Sequence, residues 1–199
     1  MDLSPAELRV LGCLIEKQRT TPDQYPLSLN ALRLAANQST NRDPVVDYDT
    51  GTIRAALDNL ASRGWTRLAS GPSSRVAKFR HLLDDALELV PSQLALLAVL
   101  MLRGPQTAAE LRTRGERIYP FASVTDVEAA LTALAERELV RRLPRRPGER
   151  EERWTQLLGE DAEGVTTEPR PAAASPLEER LASLELRVAA LEARSPDAG

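Results

Sequence analysis

The chain has 199 residues, 42% of them hydrophobic but only 4% aromatic, with a formal net charge of −3. It is long enough for one or two small domains, whose cores must be built from aliphatic side chains. A single cysteine (Cys13) and a single histidine (His81) exclude an internal disulfide and a closed zinc set.

No stretch resembles a secretory signal, and the longest apolar run, Leu94 to Leu102, falls well short of the roughly 20 residues that a membrane span needs. A cytoplasmic protein with no membrane contact, no metal and no cofactor is expected. Charge is unevenly spread. Residues 1–83 carry 11 basic and 8 acidic side chains (+3), residues 84–160 carry 11 and 13 (−2), and residues 161–199 carry 4 and 8 (−4). The first part is therefore the better match for a polyanion.

Ser4-Pro5-Ala6-Glu7 is a capping box with proline at the first helical position. It opens a helix with the stripe Leu8, Leu11, Leu14 and Ile15, ending near Gln18. Gly12 inside it costs about 1 kcal/mol relative to alanine, which signals close backbone packing or a tolerated defect. Cys13 reads as a small buried apolar residue. From Thr20 to Leu27 two prolines interrupt helix and predict an ordered loop. Ser28 caps a second helix with Leu29, Leu32 and Ala36 inward, and the polar run from Asn37 to Pro44 reads as a long turn. A third helix starts near Asp49 and carries Ile53, Leu57 and Leu60 at i, i+4, i+7. Gly64 supplies a left-handed stop. Strands at Trp65–Leu68 and Val76–Phe79 then surround the turn Gly71-Pro72-Ser73-Ser74.

A second copy follows. At an offset of 74, Ile53, Leu57, Leu60, Ala61 and Arg63 fall on Val127, Leu131, Leu134, Ala135 and Arg137; at 75, Arg75, Phe79, Leu82 and Leu83 fall on Arg150, Trp154, Leu157 and Leu158. At 86, Pro5, Leu8, Leu11, Leu14 and Lys17 fall on Pro91, Leu94, Leu97, Leu100 and Arg103. Thr107-Ala108-Ala109-Glu110 is a further capping box, Asp126 to Glu136 a helix, and Leu139 to Leu143 the start of a second wing. Three helices followed by a hairpin is the winged helix-turn-helix order. The expected fold is thus mainly α with small β-hairpin wings, in two tandem winged-helix domains at 1–85 and 86–160. A flexible linker (161–175) and a short coiled-coil-like helix (176–194) follow, the latter with a seam at Leu177, Leu181, Leu184, Val188 and Leu191. That seam allows either weak homo-oligomerisation through residues 177–191 or intramolecular docking.

Leu14-Ile15-Glu16-Lys17, Thr20-Thr21-Pro22, Tyr25-Pro26-Leu27-Ser28 and Asn37-Gln38 through Asn41-Arg42-Asp43-Pro44-Val45 closely resemble the YceH family of bacterial proteins. Leu102-Arg103-Gly104-Pro105-Gln106-Thr107, Glu110-Leu111-Arg112 and Pro147-Gly148-Glu149-Arg150-Glu151 resemble its second block. The resemblance spans residues 4 to about 158 and implies a tandem winged-helix fold without an established activity. The chain departs from the family at Ala36 and Ser39, where a cysteine and a lysine are usual.

Candidate nucleic-acid contacts fall in two groups. Asn37, Gln38, Asn41 and Arg42 are side chains able to read base edges, although Asn and Asp before proline also serve as local caps. Arg54, Arg67, Arg75, Lys78 and Arg80 surround the first wing, and Arg145 and Arg146 tip the second; such side chains suit a phosphate backbone. The second wing's arginines have the alternative of pairing with Glu149, Glu151 and Glu152. Asp47, Asp49 and Asp58 on the third helix suit its N-terminal dipole but repel phosphates. His81 reads as a packed or exposed imidazole, and no catalytic constellation appears. The sequence therefore predicts a non-enzymatic, DNA-binding winged-helix protein with transcription regulation as a fold-level association. The competing expectation is a protein-interaction adaptor using the winged helices and the C-terminal helix, with a protein partner on the second domain.

Overall fold

A computed structural model describes residues 2–69, 76–145, 148 and 151–159. The first helix, α1 (Pro5–Thr20), starts at a reciprocal cap: Ser4 Oγ accepts from the Glu7 N–H (3.3 Å) and Glu7 Oε2 accepts from the Ser4 N–H (2.6 Å). After a 3₁₀ turn at Pro22–Gln24, the short strand β1 (Leu27–Ser28) leads into α2 (Leu29–Ala36), capped by Ser28 Oγ. Helix α3 (Thr50–Ser62) is capped by Asp49, whose Oδ1 accepts from the Thr52 N–H at 2.7 Å. Strands β2 (Thr66–Leu68) and β3 (Lys78–His81) follow. The return strand begins two residues later than the apolar alternation suggests, because Phe79 pairs with both Leu68 and Leu27.

A four-residue helix, α4 (Leu83–Ala86), spans the expected boundary between residues 85 and 86. Then come α5 (Pro91–Arg103), α6 (Ala108–Gly115), α7 (Val124–Glu136), β4 (Val140–Leu143) and β5 (Arg153–Gln156). The first sheet has the order β1-β3-β2; in the second half, β4 pairs with β5, and Gln106 bridges to Trp154 where Leu27 pairs with Phe79 in the first. The repeat is therefore present in the pairing itself, and the chain is mainly helical with small antiparallel wings, as expected.

The two halves share one buried cluster. Helix α1 packs against α5 more extensively than any other pair of elements meets. Gly12 is where they approach: a Cβ there would lie 2.9 Å from Leu102 Cγ and 3.3 Å from Met101 Cβ. Close packing, rather than a tolerated defect, accounts for this glycine. At the other end Leu3 bridges to Gly159, and the Leu3 N–H donates to the Leu158 carbonyl at 3.0 Å. The linker at 161–175 and the seam at 177–191 lie outside the described residues.

Candidate nucleic-acid interface

The turn after α2 is held together by its own polar side chains. Asn37 Nδ2 donates to the Tyr48 carbonyl (2.8 Å) and to Asp47 Oδ1 (3.2 Å), while its Oδ1 accepts from the Tyr48 N–H (2.9 Å). One amide thus clamps the end of α2 to the approach to α3. Asn41 takes a left-handed backbone (φ 61°), and its side-chain oxygen accepts from Arg103. Asparagine is among the few side chains that adopt this conformation readily.

Arg42 does not face solvent. Its side chain is 0% exposed, and its Nη1 and Nη2 donate to Glu16 Oε1 (3.1 Å) and Oε2 (2.7 Å) as a bidentate pair. Nη2 also donates to Gln38 Oε1 (2.9 Å), Nη1 to the Asn41 carbonyl (2.7 Å), and Nε to the Ala35 carbonyl (3.1 Å). A guanidinium so enclosed has no donor left for a base edge in this conformation, and Gln38 gives its Oε1 to it. Arg9, which sequence reasoning passed over, is the companion: it is buried and donates to the carbonyls of Ala36 (3.0 Å) and Pro44 (2.7 Å). Two arginines thereby satisfy carbonyls at the C-terminus of α2, where a helix dipole favours cations. Burial alone would raise the Glu16 pKa, but the hydrogen bonds and charge of Arg42, with Lys17 adding, bring it below the ordinary carboxylate value.

The first wing is different in character. Arg67 on β2 lies directly opposite Arg80 on β3, and Lys78 sits two residues before Arg80 on the same face by strand alternation. Neither strand contains an acidic residue. Like charges placed directly across an antiparallel pair destabilise it, so this face is electrostatically better with an anion over it than without. Arg54 is exposed on α3, and Arg67 is exposed on the sheet. Arg75 lies outside the described residues.

The second wing spends more of its charge internally. Arg142 Nη1 pairs with Glu152 Oε2 (3.0 Å), and the guanidinium lies 4.7 Å from the Trp154 ring centroid. Arg153 Nη1 reaches Glu110 Oε2 and the Pro105 carbonyl, both at 3.2 Å. Arg145 is exposed beyond β4, and Arg146 lies outside the described residues.

His81 is a packed imidazole. Its Nε2 is 2.7 Å from Gln18 Oε1, its Nδ1 3.4 Å from Asp84 Oδ1, and its backbone N–H donates to the Tyr25 hydroxyl (2.9 Å). Burial pushes its pKa down to about 4 against the pull of Asp84, with Arg80 and Arg19 adding to the depression. Burial pushes the Cys13 thiol up to about 11, which keeps it protonated and unreactive. Among the described residues, no group of three His, Cys, Asp or Glu side chains is arranged to hold a metal ion, and no helix is long and apolar enough to cross a membrane.

The family described as "Protein of unknown function, DUF480" matches residues 3–149. Among similar relatives, a UPF0502 protein of Geotalea uraniireducens is 49% identical over 201 residues, covering 97% of this chain and 91% of its own. A UPF0502 protein of Shewanella amazonensis is 48% identical over 204 residues, covering 98% and 96%. One of Solibacter usitatus is 49% identical over 190 residues, covering 96% and 89%. The family match spans residues 14–45, on which the YceH resemblance rests in the first half.

Proposed function

The chain belongs to the DUF480 (UPF0502) family, and from that premise we propose that it is a non-enzymatic, cytoplasmic DNA-binding protein acting in transcription regulation. The duplex contact falls to its first half. The observation that supports this reading is the face formed by Arg67, Lys78 and Arg80, with Arg67 and Arg80 opposed across the strands and no carboxylate in either. In a winged helix the hairpin lies beside the third helix, and α3 brings Arg54 with the small exposed residues Thr50, Gly51 and Ala55. Small side chains permit close approach to a groove. The Arg54 and Arg67 guanidiniums supply phosphate contacts.

Fluorescence anisotropy of a labelled mixed-sequence duplex tests the proposal. Four phosphate contacts predict an affinity that falls by about 10²-fold between about 50 and 200 mM salt. Replacing Arg54, Arg67 and Arg80 together with glutamine is expected to weaken binding at every sequence and flatten the salt slope by roughly one unit per contact removed. Undiminished binding by that variant, or none by the wild type at the lower salt, overturns the reading. The adaptor alternative gains support from Leu68 and Val76, apolar wing residues that are 56% and 53% exposed, and it becomes the working reading if no duplex binds.

A further inference from the structure

We propose that the cleft between the two winged-helix halves is a binding site for a small molecule carrying a phosphoryl group. This inference does not rest on DNA binding by the wing. The cleft has a volume of about 510 Å³, inside the range of roughly 300–1,000 Å³ usual for small-molecule pockets. Its walls are the end of α1, the turn after α2, the end of α5, and α6 with the segment that follows it.

Four cations line it: Lys17, Arg103, Arg114 and Arg117. Lys17 and Arg103 are equivalent positions of the repeat, at the ends of the two helices that pack together, so the duplication itself brings both to one cleft. Two carboxylates are present, Glu16 and Glu116; both oxygens of Glu16 accept from the buried Arg42, and Lys17 Nζ lies 3.4 Å from its Oε2. Arg114 pairs with Glu110 at 3.2 Å, which leaves Arg103 and Arg117 as the lining cations without a carboxylate partner among the described residues. Arg117 is exposed and makes no ion pair or hydrogen bond with a described residue. Burial, followed by the nearby charges of Arg114 and Arg42, lowers the pKa of Arg103 against the pull of Glu16 and Asp43. A bound anion relieves that repulsion.

The rest of the lining narrows the ligand class. Guanidinium forks match the oxygens of a phosphoryl group bidentately. The Thr40 hydroxyl makes no hydrogen bond with a described residue and is a donor available to the same oxygens. Thr20 and Thr21 already donate to helix carbonyls, at 3.0 and 3.2 Å, so their oxygens remain as acceptors for a ligand hydroxyl or amine. Val99, Leu102 and Ile118 offer an apolar wall. A phosphorylated molecule with a hydroxylated, partly apolar body fits this set.

The test is calorimetric titration of the full chain with inorganic pyrophosphate, alongside citrate as a phosphorus-free polyanion. Saturable binding with one site is expected for pyrophosphate, at least tenfold tighter than for citrate. Arg117→Gln and Lys17→Gln, each with unchanged circular dichroism, are expected to weaken it at least tenfold, and to remove the rise in melting temperature that pyrophosphate gives the wild type. Absence of saturable binding, citrate binding as tightly, or unchanged affinity in both variants overturns the proposal. Displacement of pyrophosphate by a short duplex overturns it too, since the cleft would then belong to a polynucleotide contact.

Discussion

Arg42 carries its charge inward, and what it does there follows from the cost of removing it. Its guanidinium neutralises Glu16 and satisfies the carbonyls of Ala35 and Asn41. Breaking a buried pair from one side typically costs about 3–5 kcal/mol, because the remaining charge stays buried without compensation. Arg42→Ala is expected to lose stability in that range by urea denaturation, and a loss below about 1 kcal/mol, the scale of an exposed pair, would mean that Glu16 finds another partner. His81 gives a second residue-scale expectation. Its folded pKa of about 4 lies below the ordinary 6.5, so between these values the unfolded chain takes up a proton that the folded chain refuses. Stability is therefore full above about pH 6.5 and is lost as pH falls toward 4, by on the order of 3 kcal/mol in all. Glu16, with a depressed pKa, loses its contribution only at lower pH. His81 is the single histidine in the chain, so His81→Gln is expected to flatten the urea midpoint between pH 5 and 7; an unchanged slope would place the titration elsewhere. The local part of this chemistry was legible in the sequence: a polar turn before proline does use Asn37 as a backbone clamp. The burial of Arg42 was not, since its partner lies 26 residues away on α1 and nothing in either motif marks the pairing.

Elements were more legible than residues, because capping and periodicity are local. Ser4, Ser28 and Thr107 cap the helices whose starts they mark in the sequence, and Asp49, expected near the start of the third helix, is its cap. The first helix was read only in part. Its stripe of Leu8, Leu11, Leu14 and Ile15 is buried, but so are Arg9, Val10, Gly12 and Cys13 between them, and a helix buried on all sides has partners on all sides. The second partner is α5, itself buried continuously from Leu94 to Leu102. Gly12 sets their separation, with Leu102 and Met101 already within 3.3 Å of where a Cβ would sit. Gly12→Val adds two further methyl groups at that point. Overpacking costs of roughly 1–3 kcal/mol outweigh the small gain in helix propensity, so a loss of about 2 kcal/mol and a lower melting temperature are expected. A neutral or stabilising effect would mean that α1 and α5 can part without penalty. The wings show the limit of composition at this scale. Two hairpins of similar basic content differ because Trp154, Glu110 and Glu152 engage arginines in the second, whereas β2 and β3 hold no acid to do the same.

At the scale of the whole molecule, the duplication predicts two equivalent units, yet their burial is joint. Were the halves to separate, the face of α1 that meets α5 would be exposed together with its counterpart, and the Leu3 strap to Leu158 and Gly159 would break. Each half would then have one of its helices stripped on one side, which for units this small removes a large share of the core. Unfolding of the two halves is therefore expected to be a single cooperative event. The sequence supplies a probe for each: Trp65 and Trp154 are the only tryptophans, one per half, and both are buried. Single-tryptophan variants, Trp65→Phe and Trp154→Phe, let fluorescence follow one half at a time against the far-ultraviolet dichroism of the same variant. Within each variant, coincident denaturant midpoints for fluorescence and dichroism would fit one transition through the shared α1–α5 core. Fluorescence that leads the dichroism in one variant and lags it in the other would mean that the halves fold as separate domains and that the contact between α1 and α5 contributes little to either.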